Sequence, residues 1–124
     1  NELIVNGKWT PASGAEGVDT LLARKVSFTA LVASNDDMAI GAIKQLHERG
    51  MSVPAQTSVI GFDDIAMAPY TIPALSSVKI PVTEMIQETI GRLIFMLDGG
   101  EFTPPKTFTG ALILRDSAAP LPAR

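Results

Sequence analysis

Three clusters of polar residues each follow an apolar run that reads as a β-strand. Gly7-Lys8-Trp9 follows residues 2–5, Ser34-Asn35-Asp36-Asp37 follows residues 28–33, and Asp63-Asp64 follows residues 57–62. An ionised carboxylate such as Asp63 accepts two charge-strengthened hydrogen bonds, which is what vicinal hydroxyls require. Asn35 brings both a donor and an acceptor, matching hydroxyls that are both. Trp9 offers a flat face to the apolar C–H side of a sugar or to an aromatic ring. A rim carrying these groups suits a polyhydroxylated ligand. It would reject analogues without hydroxyls, because its own polar groups would be left unpaired.

Each residue also has a plainer reading. Asp36 reads first as the N-cap of the helix that follows it. Asp64 and Asn35 fit turn positions, and a lone tryptophan is often a packing residue. Asp63, directly after a buried strand, divides evenly between the two readings. His47 lies beside Glu48 and Arg49 on the polar side of a helix, with no nucleophile placed to use it as a base. Carboxylates at neighbouring strand ends could instead hold magnesium for phosphoryl transfer. No glycine-rich phosphate loop follows any of the three strands, however, and Lys8 is the only candidate cation. The residues therefore point away from an enzyme and imply no metal and no cofactor. A purely structural dimerisation module stays open, because the helix over residues 36–49 has apolar side chains on more than one face.

The elements that must position these clusters follow from periodicity. Val18, Leu21 and Leu22 recur at helical spacing over residues 13–24, with Ser13 as the expected cap. Residues 36–49 form a second helix, stopped by Gly50. The apolar positions Met85, Ile86, Ile90, Leu93, Ile94 and Leu97 form a helical stripe over Val82–Leu97, stopped by Gly99-Gly100. Residues 65–75, with Pro69 and Pro73, read as a structured loop. Residues 77–80 read as a short extended piece and 107–114 as a last strand. Strand, helix, strand, helix, strand with short connections predicts an α/β fold, a parallel sheet flanked by helices. In such sheets ligands bind outside the carboxyl ends of the strands, where the three clusters fall.

At 124 residues with 46% hydrophobic and 19% charged residues, the chain is one globular domain. No apolar run approaches the roughly 18 residues that a membrane span needs, so no membrane partner is expected. The opening NELIVNGKW lacks the pattern of a signal peptide, and the missing initiator Met suggests a piece of a longer chain. The absence of cysteine fits the cytoplasm. Acidic residues outnumber basic ones, 13 to 10, for a formal charge of −3. DNA contact by this chain itself is therefore not expected.

The string LVASNDDMAIGAIKQLHERGMSVPAQTSVIGFDD over residues 31–64 resembles the lac-repressor/galactose-repressor (LacI/GalR) family of transcription regulators. The following IAMAPYTIPALSSVKIP and the late LRDS are similar to that family too, in particular to its β-glucoside-operon branch. The resemblance implies a periplasmic-binding-protein-like effector domain whose DNA-binding helix-turn-helix lies outside this chain. Residues 1–76 would be the carboxy-terminal effector subdomain. Residues 77–103 would cross to the other subdomain, 104–117 would return as a strand, and 118–124 would be a flexible tail. Trp9 would stack on a sugar or glucoside effector, with Asn35 and Asp63 hydrogen-bonding it. Ile40, Ile43, Met67 and Tyr70 would lie at a homodimer interface, and operator DNA would be reached only through the missing amino-terminal part. The apolar stripe of Val82–Leu97 would lack its usual cover and drive self-association. A periplasmic-type sugar-binding protein is the rival reading within the same fold.

Overall fold

Thr10-Pro11 starts the first helix, α1 (Pro11–Ala23), because proline at the first position needs no backbone donor. Thr10 rather than Ser13 is the N-cap, and the two form a capping box in which the Thr10 side chain accepts from the Ser13 N–H. Ser13 is buried, and its hydroxyl accepts from the N–H of Lys8 at 2.9 Å and donates to the Thr10 carbonyl. Thus Ser13 braces the cap instead of being it.

The remaining elements are β1 (Ala30–Val32), α2 (Asp36–Glu48), β2 (Ser58–Asp63), a short 3-10 turn (Ala68–Tyr70), β3 (Ser76–Lys79), α3 (Val82–Leu97) and β4 (Ala111–Ile113). They come from a computed structural model that describes residues 2–120. The four strands form one sheet in the order β1-β2-β3-β4. β1, β2 and β3 are parallel, with Val32 opposite Ile60 and Asp63 opposite Lys79. β4 returns antiparallel to β3, with Val78 opposite Leu112.

Residues 2–5 do not form the expected strand. The Arg24 guanidinium donates to the carbonyls of Glu2 and Ile4, both at 2.9 Å, so these acceptors face a side chain and not a neighbouring strand. β1 is left as an edge, with Val32 78% exposed.

α2 packs against β2 on one side and α1 on the other, so its apolar residues face two ways within one core. Val18, Leu46, Val59 and Leu75 are fully buried there, each worth roughly 1.5–3 kcal/mol. At the helix crossing Gly41 lies against the Pro11 carbonyl, where a Cβ would overlap it. α3 contributes no buried residue and has no extensive contact with another element. Its apolar stripe is laid out as the periodicity predicts, but uncovered.

The late segment is tied back to the sheet. Ser117 is buried and donates to the Val59 carbonyl at 2.6 Å, and Ala119 donates to the Ser58 hydroxyl at 3.1 Å. Residues 121–124 of the expected tail lie outside the described residues. Among the described residues no helix is long and apolar enough to cross a membrane.

Candidate functional site

Trp9 reaches the sheet's rim without a strand beneath it. Its carbonyl accepts from the Asn35 side-chain amide at 3.2 Å, and its backbone is left-handed, φ 62°. Trp9 is 65% exposed, so it is not spent on the core.

Asn35, not Asp36, caps α2: its side-chain oxygen accepts from the Met38 N–H at 3.0 Å. The amide thus links the two helix starts while keeping one N–H and one lone pair for other partners. Asp37, one residue further, is exposed in the first turn, where the helix dipole favours negative charge.

Asp36 is fully buried. Its carboxylate accepts from the Ser77 hydroxyl at 2.6 Å and from the Ile65 N–H at 2.9 Å, satisfying a charge that would otherwise be costly to bury. Gly61 makes room for it, because a Cβ there would collide with the Asp36 carboxylate.

Asp63 ends β2 with φ 108°, and Asp64 follows with φ 54°. Two left-handed residues in succession turn the chain sharply and leave the Asp63 side chain exposed at the rim. Its pKa is pushed above the ordinary value, first by partial burial and then by the negative charges of Asp36 and Asp37. Those charges place the end of β2 within electrostatic reach of the start of α2. Asp64 behaves differently: its carboxylate pairs with the Arg115 guanidinium at 2.6 Å, the two side chains 11% and 17% exposed. It is more than the turn residue that its position suggests.

The structure thus joins Trp9 to Asn35 by a hydrogen bond and leaves the Asp63 carboxylate, near Asp36 and Asp37, without a hydrogen bond from the described residues. Such a set can accept hydrogen bonds from hydroxyls and stack on an apolar ring face. Among the described residues no group of three or more metal-ligating side chains is placed to hold an ion.

The candidate interface residues separate. Met67 and Tyr70 are 58% and 79% exposed around the 3-10 turn, and Ile40 is half-buried on α2. Ile43, only 7% exposed, belongs to the core. Sequence reasoning missed Ser77 and Arg115 altogether. No local pattern in the sequence names either, because they meet their carboxylate partners from 41 and 51 residues away.

A family profile described as a periplasmic binding protein-like domain matches residues 2–118. The chain is 80% identical over 116 residues to the HTH-type transcriptional regulator AscG of Escherichia coli, covering 94% of this chain and 34% of that protein. The crystal structure of the Escherichia coli transcriptional repressor AscG superposes with a TM-score of 0.84 at 78% identity, over 96% of this chain and 44% of that one. A complex of the transcriptional regulator CelR with cellobiose superposes with a TM-score of 0.86 at 29% identity, over 95% and 37%. The chain spans about a third of the length of curated relatives such as the first three it matches.

Proposed function

From the premise that this chain belongs to the periplasmic-binding-protein-like regulators of the LacI/GalR family, we propose that it is the effector-sensing part of a cytoplasmic, sugar-responsive repressor. Its ligand is a polyhydroxylated molecule of the β-glucoside type. Trp9 stacks on the ligand's apolar face, Asn35 offers its remaining donor and acceptor, and Asp63 accepts from a pair of hydroxyls.

The observation that carries this reading is the state of Asp63. Its carboxylate is exposed, receives no hydrogen bond from the described residues, and is pressed by two other negative charges. A ligand hydroxyl pair relieves that situation directly. The cellobiose complex of a structural neighbour and the regulator names of the relatives support a sugar sensor over an exported carrier or a phosphoryl-transfer enzyme.

Members of this family bind sugar effectors and operator DNA as oligomers. We assign residues 1–76 to the effector subdomain, 77–103 to the crossing segment and 104–117 to the return. The exposure of Met67 and Tyr70 supports a homodimer face there, joined by Ile40. Operator contact belongs to sequence other than this acidic chain. The effector acts by differential affinity for two arrangements of the sensor, which biases the DNA-binding part.

Calorimetric titration of cellobiose and salicin into the complete gene product carrying this chain tests the site. Asp63→Ala and Trp9→Ala should each weaken binding by about tenfold or more, the loss of a charged hydrogen bond or an aromatic contact. Unchanged affinity in both variants discards the site.

A further inference from the structure

The two left-handed residues that end β2 cannot hold themselves. Backbone in sparsely populated regions costs about 1–3 kcal/mol per residue and persists only where the surroundings over-determine it. Around Asp64 those surroundings include three side chains from distant parts of the chain.

The Asp64 N–H donates to the Ser77 hydroxyl at 3.0 Å, and that hydroxyl donates in turn to the buried Asp36 carboxylate at 2.6 Å. The other Asp36 oxygen accepts the Ile65 N–H, so the residue after the turn is fixed to the same carboxylate. From the opposite side the Arg115 guanidinium holds the Asp64 carboxylate at 2.6 Å and the Leu75 carbonyl at 2.7 Å. Arg115 is itself pinned by its backbone, which exchanges hydrogen bonds with the Ser76 hydroxyl at 2.9 and 3.2 Å. Among the described residues no side chain hydrogen-bonds the Asp63 carboxylate, while its backbone stays in the ladder opposite Lys79.

We propose that Asp36, Asp64, Ser77 and Arg115 form a positioning network that aims the Asp63 carboxylate and couples it to the two strands leading to and from α3. Ser77 lies on β3, which runs out to α3, and Arg115 follows β4, which returns from it. A slide of either strand against β2 changes the lengths of these hydrogen bonds, and so redirects Asp63. The consequence for ligand affinity rests on the proposed role of Asp63 as an effector contact. The positioning itself does not.

The test reads Asp63 directly by NMR in this chain, without ligand. The three-bond amide-to-Hα couplings of Asp63 and Asp64 report φ, and the Asp63 carboxyl carbon reports its titration. Ser77→Ala and Arg115→Ala should move both couplings out of the positive-φ pattern. Both variants should also change the Asp63 titration, while the amide pattern of α1 and α2 stays in place. Arg115→Lys keeps the charge but loses the two-pronged grip, and should give a smaller shift in the same direction. If Arg115→Ala does not fold, Ser77→Ala and Arg115→Lys carry the reading. Folded variants that leave the Asp63 couplings and titration unchanged overturn the proposal.

A parallel cellobiose titration of the complete gene product separates the two readings. With Asp63 an effector contact, Ser77→Ala and Arg115→Lys weaken binding at least threefold. If Asp63→Ala leaves affinity intact while the couplings move, the positioning stands and the effector site falls.

Discussion

The body of the molecule, α1 and α2 on the parallel strands, and the arm built on α3 are both rich in apolar residues at regular spacing, yet they differ in what those residues meet. Leu46 of α2 is fully buried, whereas Ile90, Leu93 and Ile94 of α3 are each more than half exposed. The arm is held locally: Arg92 pairs with Glu88 at 2.6 Å and donates to the carbonyl of Thr103 at 2.9 Å. Amphipathic periodicity is therefore enough to make a helix, but burial depends on a second surface.

The largest effect expected from this contrast is Leu46→Ala, which should lower the unfolding free energy by about 2–5 kcal/mol. Leu93→Ala should change it by less than about 0.5 kcal/mol. Urea titrations followed by circular dichroism check both, and equal shifts would erase the distinction between body and arm.

Glycine to alanine gives the contrast in opposite signs. Gly41→Ala forces a methyl into the Pro11 carbonyl and should destabilise by about 1–3 kcal/mol. Gly91→Ala in α3 meets nothing within 4 Å. It should add helicity and up to about 1 kcal/mol of local helix stability. Helical signal and melting temperature, measured together, show whether the signs divide.

The arm's uncovered stripe also predicts association. Light scattering should report a mass that rises with concentration, and the double variant Ile90→Lys with Leu93→Lys should suppress that rise without moving the melting temperature of the body. A monomer at all concentrations would mean that the arm finds cover within its own chain.

The smallest effect lies at the rim. Because the folded Asp63 has a pKa above the ordinary 3.8, the folded state holds that proton to higher pH than the unfolded chain. The stability linked to it is present below the ordinary value and lost as pH rises through the folded one. Asp63→Asn keeps a side chain that tolerates positive φ and removes the charge. It should melt slightly higher than the parent at about pH 7 and together with it at about pH 3. A gap that persists in acid would assign the effect to packing.

Much of this was legible. The bounds of α3, Val82–Leu97, follow from sequence because its stripe and glycine stop are both local. The strand-helix alternation and the polar clusters after the strands were equally local. A serine before an apolar run fits either the cap or the brace position, so Ser13 reads as a cap although Thr10-Pro11 carries the stronger start signal. Residues 2–5 have the apolar run of a strand, but Arg24 takes two of their carbonyls, and a pattern of side chains does not announce such competition.

What the sequence determined by itself was the alternation of apolar periods, the places where they break, and the position of Trp9, Asn35 and Asp63 at those breaks. Only the tertiary structure decided that Asn35 caps α2, that Asp36 is buried against Ser77, and that Asp64 belongs to Arg115. The physical reason is separation along the chain. Periodicity and capping act over a few residues and leave a local trace. The partners of Asp36 and Asp64 are 41 and 51 residues away, and only the parallel pairing of β2 with β3 and the return of β4 bring them within hydrogen-bond reach.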